Sequence, residues 1–253
     1  FVLESMRAMQ VEGAGTRFFQ DGIRAGALAK SSVNLAISLL KNDLADNEVD
    51  HVGEPWALLP KSEAMPVDLS EAGTLEGKVE DEMGKFPINN LVDEEGKVQE
   101  VYQQVLTRLL TNAPFEIEEE EAQGVVMAIR DWLDKDDEPT GEFGAETDYY
   151  QGLEQPYECK NGPLTSLAEL QLIRGVSESL YLGTEENPGL KDLLTVYGDG
   201  KININTADLP ILAALLPEGN QDLALAIHDY RLEKTGTIYN HDLSSNTWYK
   251  NVP

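Results

Sequence analysis

The sequence predicts an α+β protein, with one long N-terminal helix and a few short strands followed by a larger region built mostly from helices. Three observations carry that expectation. Residues Phe1 to about Lys41 contain no proline and repeat apolar side chains every three or four positions. Short apolar runs lie between prolines from Trp56 to Phe86, and the remainder holds two helix, turn, helix plans. At 253 residues the chain is long enough for one large domain or two ordinary ones. Its hydrophobic content of 41% suits a packed core and argues against wholesale disorder.

In the first helix, Ala25, Leu28, Ser32, Leu35 and Leu39 form one stripe. Gly13, Gly15, Gly22 and Gly26 each cost up to ~1 kcal/mol relative to alanine, so packing must support the helix. Trp56–Leu59 and Met65–Leu69 read as strands, and Leu75–Phe86 as a hairpin turning at Met83-Gly84. Helices follow over Val98–Leu110 and Ile117–Leu133, separated by Pro114; Glu118 to Glu121 place negative charge on the second one's first turn, where the helix dipole favours it. Asp134–Pro163 is loop-like, and a loop of that length is usually functional, disordered or held by a metal. Ser166–Ile173 and Glu178–Tyr181 are helical, Leu193–Tyr197 is a short strand, and Asp208–Leu216 and Gln221–Leu232 form a second helical pair.

Against 46 acidic residues stand 19 basic ones, giving a formal net charge of −27. Nucleic-acid binding draws most of its affinity from Lys and Arg displacing counterions, and acidic membrane surfaces select the same residues, so both partners are disfavoured. Cations are favoured. Cys159 is the only cysteine, which rules out an intrachain disulfide and a cysteine-based zinc site. No run of about 20 apolar residues is present to cross a bilayer. Enzymatic signatures are also missing. The three histidines form no His-Glu-x-x-His pair, and neither a Gly-x-Ser-x-Gly elbow nor a phosphate loop occurs. His228, beside Asp229, reads as a structural imidazole.

Acidic residues concentrate where the second helix of the first pair runs into the long loop. Asp131, Asp134, Asp136, Asp137 and Glu138 are followed by Glu146 and Asp148. Calcium takes six to eight oxygen ligands in forgiving geometry, which carboxylates along a flexible loop can supply. Asp134, Asp136 and Glu138 match the first three ligand positions of an EF-hand, but Pro139 stands where that loop needs glycine and Ala145 where it needs glutamate. The expected calcium ligands are Asp134, Asp136, Glu138, Glu146 and Asp148, with Asp131 and Asp137 in reserve. A solvated acidic loop is the alternative.

The segment Lys201–Ala207, read as Lys-Ile-Asn-Ile-Asn-Thr-Ala, resembles the start of the helix-hairpin-helix unit of competence DNA receptors. Its turn, Pro217-Glu218-Gly219-Asn220-Gln221-Asp222, lacks the Gly-Ile-Gly-type run that brings backbone amides to a phosphate and carries two acids. DNA binding is therefore not expected.

Four segments in order resemble one family, the minor pseudopilin component K of type II secretion systems. They are Arg24–Leu40, Glu80–Leu91, the Asp131–Tyr150 block with its Asp-Trp-Leu-Asp and Gly-Ala-Glu runs, and Lys201–Ala207. The resemblance implies a non-enzymatic subunit with a pilin-like long N-terminal helix on a small antiparallel sheet and a large inserted all-α domain. On that pattern residues 1–92 form the helix and strands, 93–200 the first part of the insertion with the acidic loop, and 201–253 its second helical hairpin and the return to the sheet. Further implications are calcium in the loop and a tip complex with components I and J that initiates pseudopilus assembly. Contact with those partners would run through the stripe of Ala25, Leu28, Ser32, Leu35 and Leu39. The resemblance also places a membrane anchor before Phe1 and closing strands after Pro253, giving an inner-membrane protein that faces the periplasm. A pilin-like subunit for adhesion or DNA uptake is the nearest alternative, and a calcium-dependent hydrolase a more distant one.

Overall fold

The computed structural model describes residues 2–46, 49–58 and 77–253, which fall into two compact units, Phe1–Glu80 and Asp81–Pro253. The expected divisions at 92/93 and 200/201 both lie inside the second unit.

In the first unit, α1 (Val2–Asp46) runs for 45 residues, past the expected end near Lys41. At 1.5 Å per residue it is about 67 Å long. Ser31, Ser32 and Ser38 return their hydroxyl protons to carbonyls three or four residues back, at 2.7–2.9 Å, so polar groups on the helix are satisfied locally. Of the expected stripe, Leu28, Ser32, Leu35 and Leu39 are half-buried and Ala25 is exposed. A second apolar series is more open: Phe19, Ile23, Val33, Ile37, Leu40 and Leu44 are all exposed. With Gly26 and Lys30 these positions alternate steps of four and three, the seam spacing that packs against another helix.

The strand expected at Trp56–Leu59 is a series of turns over its described residues. The reason is a local competitor. The Glu54 carboxylate accepts from the backbone N–H of His51 at 2.9 Å and from the Trp56 indole N–H at 2.8 Å, folding the chain back on itself. Met65–Leu69 and the first two residues of the expected hairpin lie outside the described residues.

The rest of that hairpin does not form. Glu82–Gly84 is instead a 3-10 turn capped by Asp81, whose side chain accepts from the Met83 N–H at 2.9 Å. Strand β1 (Phe86–Pro87) then pairs in parallel with β2 (Leu194–Thr195). Proline offers no N–H, and the ladder ends after two residues. What prevents the hairpin is the Lys201–Ala207 segment. Asp81 accepts from Asn203 Nδ2 at 2.8 Å and Thr206 Oγ1 at 2.6 Å, and the Asn203 N–H reaches the Met83 carbonyl at 2.7 Å. Gly84 fits beneath this turn because a Cβ there would lie 2.8 Å from Thr206 Oγ1.

Five helices fall where they are expected, α2 (Glu100–Thr111), α3 (Glu119–Leu133), α5 (Glu178–Leu182), α7 (Leu209–Leu215) and α8 (Gln221–Leu232), whereas the short helices α4 (Thr147–Gln151) and α6 (Leu190–Leu193) are additional. Ser166–Ile173 holds a 3-10 helix, Leu167–Leu172, with a capping box between Ser166 and Glu169. Helix α2 lies at the centre, packing against both α3 and α7. Leu106, Leu109 and Leu110 from α2, Ile129 from α3 and Ile211 from α7 belong to one core, which explains why no boundary falls near residue 200. Asn89 ties distant segments together, donating to the Leu164 and Val196 carbonyls and accepting the Leu164 N–H at 2.8 Å. Buried Arg231 anchors α8 by donating to the carbonyls of Ile204 and Ala207. A further hairpin, β3 (Lys234–Thr235) with β4 (Ile238–Tyr239), turns at Gly236, whose φ of +69° favours glycine. The mixed helix and small-strand class stands.

Asp81→Ala removes an acceptor shared by Met83, Asn203 and Thr206 and leaves those donors under the packed turn. The expected cost is about 2 kcal/mol, because a donor left without its partner loses both the bond and its hydration. Urea unfolding measures it; an unchanged midpoint contradicts the role given to this contact.

Candidate metal centre

The acidic loop takes its shape from Asp131. This residue lies in the last turns of α3 with no solvent exposure. Its carboxylate accepts from the N–H of Ala145 at 2.7 Å and from that of Thr140 at 3.1 Å, drawing the far side of the loop back onto the helix. Gly144 is required in that fold, since a Cβ would stand 2.3 Å from Asp131 Oδ2 and 2.3 Å from the Thr140 nitrogen. The Gly144 carbonyl in turn accepts from Arg174 at 3.1 Å.

Closing the loop in this way delivers Glu146 to the end of α3. Asp134 is the C-cap residue of α3, and ligand oxygens of Asp134, Asp136 and Glu146 come within 4.8 Å of one another. Asp134 and Glu146 are each only 3% exposed. Both Glu146 oxygens and Asp134 Oδ1 are buried without a hydrogen-bond partner, while Arg130 Nε stands 3.8 Å from Asp134 Oδ2. Burial first, then the Asp131 charge, pushes Glu146 up to about 8. Burial and the charges of Asp136 and Asp131 push Asp134 up to about 6. Buried carboxylates that lack donors are costly to ionise unless a cation accompanies them.

The remaining expected ligands lie elsewhere. Glu138 is exposed and gives its backbone N–H to Asp136 Oδ1 at 2.9 Å; Asp148 is exposed in the first turn of α4. Neither belongs to the cluster of three. Of the reserves, Asp131 is occupied by backbone amides and Asp137 accepts from Asn161 at 3.3 Å. The Asn161 amide also donates to the Asp136 carbonyl at 2.8 Å, holding that arm of the loop. Cys159 is buried near Asp131, and burial pushes its thiol up to about 12, far from a metal-binding thiolate.

Helix α4 interrupts the stretch expected to be structureless. Tyr150 from this helix is fully buried, stacks on Tyr157 at 5.1 Å between centroids, and meets Trp132 edge-on at 5.3 Å. Its hydroxyl accepts the Arg174 N–H at 3.3 Å. The loop is thus anchored by an aromatic cluster and by Asp131, and the oxygens of Asp134, Asp136 and Glu146 are brought together by the fold itself. An all-oxygen set on a loop suits a hard divalent cation. Spacing alone cannot tell a carboxylate that serves backbone amides, as Asp131 does, from a metal ligand.

A family model described as Type II secretion system (T2SS), protein K matches residues 84–185, a span that includes the whole cluster. The Type II secretion system protein K of Pseudomonas aeruginosa is 35% identical over 188 residues, 72% of this chain and 52% of the relative. That of Aeromonas hydrophila is 33% identical over 181 residues, 68% of this chain and 53% of the relative. A chain of the crystal structure of the GspK–GspI–GspJ complex from enterotoxigenic Escherichia coli superposes with a TM-score of 0.65 at 20% identity, over 93% of this chain and 82% of that one. Residues 84–185 carry the domain of the type II secretion system protein K family. The chain spans about half the length of the curated relatives it matches.

The two raised carboxylates give a signed pH dependence in metal-free protein. Their folded values, about 6 for Asp134 and about 8 for Glu146, lie above the ordinary 3.8 and 4.5, so the folded state binds more protons between those limits. Stability from these groups is fully present below the unfolded values and is lost as pH rises through the folded ones. Metal-free protein should therefore melt at a higher temperature at pH 5 than at pH 8, and an Asp134→Asn, Glu146→Gln double variant should lose most of that difference. Parallel pH profiles for the two proteins would contradict the assignment.

Proposed function

We propose that this chain acts as a non-enzymatic minor pseudopilin at the tip of a type II secretion pseudopilus, where it joins components I and J to initiate assembly and support protein export. The observation that carries this reading is the family match over residues 84–185, the segment that holds α2, α3 and the acidic loop. The solved structure with the same fold comes from a complex of K, I and J components, which supports these partners for the present chain. In this reading α1 is the pilin-like helix, the second unit is the helical domain inserted into a pilin sheet, and calcium occupies the site of Asp134, Asp136 and Glu146. No described helix is long and apolar enough to cross a membrane. Placement in the inner membrane, facing the periplasm, thus calls for an anchor outside the described helices.

Assembly through α1 follows from its surface. The open series Phe19, Ile23, Val33, Ile37, Leu40 and Leu44 presents apolar side chains at helix-packing intervals, and space is open around Gly22 and Gly26 for a close approach. Ile37→Arg should weaken co-purification with the I and J components by about tenfold or more, as expected for a charge placed in an apolar contact. The melting temperature of the isolated chain should stay unchanged. Full-strength co-purification of that variant would count against this helix as the assembly surface.

A further inference from the structure

A second acidic feature lies in the 81–253 unit, and none of its lining residues belongs to the loop. It is a cleft of about 780 Å³ between the Thr111–Glu116 turn, the Asn187–Pro188 turn, the start of α7 and one side of α8. Pro114, Pro210 and Leu225 supply apolar surface, and Leu225 is 46% exposed although it sits on a packed helix. Glu116, Asp208 and Asp222 supply the charge, all three of them exposed. The lining holds no lysine or arginine. Among the described residues none of these carboxylates takes part in an ion pair. Asp208 heads α7, yet its side chain makes no capping hydrogen bond and stays available.

We infer that this cleft docks a short, extended polypeptide segment of another protein in which basic and apolar residues alternate, its Lys or Arg side chains meeting Glu116, Asp208 and Asp222 while its apolar side chains cover Pro114, Pro210 and Leu225. Charge complementarity selects the occupant: besides the three carboxylates the only titratable group of the lining is His228, and among the described residues neither Glu116 nor Asp222 has an ion-pair partner, while Asp208 feels the charge of buried Arg231. The volume is of the class that holds a compact ligand or a few residues, too small to enclose a helix. Exposed rim charges chiefly steer association, so the apolar surface must supply the hold. The inference does not rest on the secretion reading; it uses only this cleft.

Fluorescence anisotropy with a labelled ten-residue peptide of alternating lysine and leucine tests it, with calcium in excess so that the loop does not compete. Asp208→Asn, Asp222→Asn is the informative variant, since asparagine is as good an N-cap as aspartate and α7 should survive the change. Glu154→Gln, Glu178→Gln removes the same charge from exposed sites outside the cleft. The cleft pair should weaken binding by about tenfold and the control pair by less than about twofold, as separates local pairing from the screened field of the whole molecule. Leu225→Ser should also weaken it. Equal weakening by the two charge pairs, displacement of the peptide by spermidine at matched charge concentration, or no saturable binding would each overturn the inference.

Discussion

The architecture of the acidic loop depends on one buried carboxylate whose hydrogen bonds go to backbone rather than to a cation. Asp131 is removed from water yet receives the N–H groups of Thr140 and Ala145, which keep a buried anion tolerable. That arrangement fixes where the chain returns to α3, forces glycine at position 144, and brings Glu146 beside Asp134. Glu146 receives no such donors. Its cost, and part of that of Asp134, is therefore the consequence of a geometry that Asp131 imposes, and it stands as an electrostatic strain that a bound cation would relieve.

The same economy of contacts organises the rest of the second unit. Strand pairing is minimal, two residues on each side in each pair, so the core rests on helices around α2 and on side chains that reach across long stretches of sequence. Asp81 gathers the 203–206 turn, Asn89 joins 164 to 196, and Arg231 holds α8 to the 204–207 carbonyls. These polar ties act where no ladder is present to fix register. The Asn-x-Asn-Thr-Ala motif shared in pattern with a DNA-binding unit thus serves here as the seat for Asp81 and Gly84.

Helices were legible in the sequence because their apolar period, prolines and acidic first turns are local signals; α2, α3, α7 and α8 lie within two residues of expectation at each end. Strands were not. The Leu75–Phe86 hairpin had the right residue types, but Asp81 and Gly84 are committed to a turn more than 100 residues away, and tertiary contacts override strand propensity. Trp56 was lost to a side-chain acceptor two residues before it. At the acidic loop the sequence gathered Asp134, Asp136 and Glu146 correctly into one neighbourhood. It could not separate them from Glu138 and Asp148, because which acid turns inward depends on the Asp131 contacts and the burial of Tyr150. On α1 the regular spacing of the Ala25–Leu39 stripe does not show which face is open, and the apolar series one step around the helix is the more exposed one.

Whether a cation neutralises the buried carboxylates is tested most directly by terbium luminescence, since terbium substitutes for calcium at oxygen sites and Trp132 and Tyr150 flank the loop as sensitisers. Aromatic excitation should give saturable terbium emission that calcium displaces and that Glu146→Gln abolishes, with the fold retained. Emission that is absent, or that is equally strong in the variant, would contradict a cation site built on Asp134, Asp136 and Glu146.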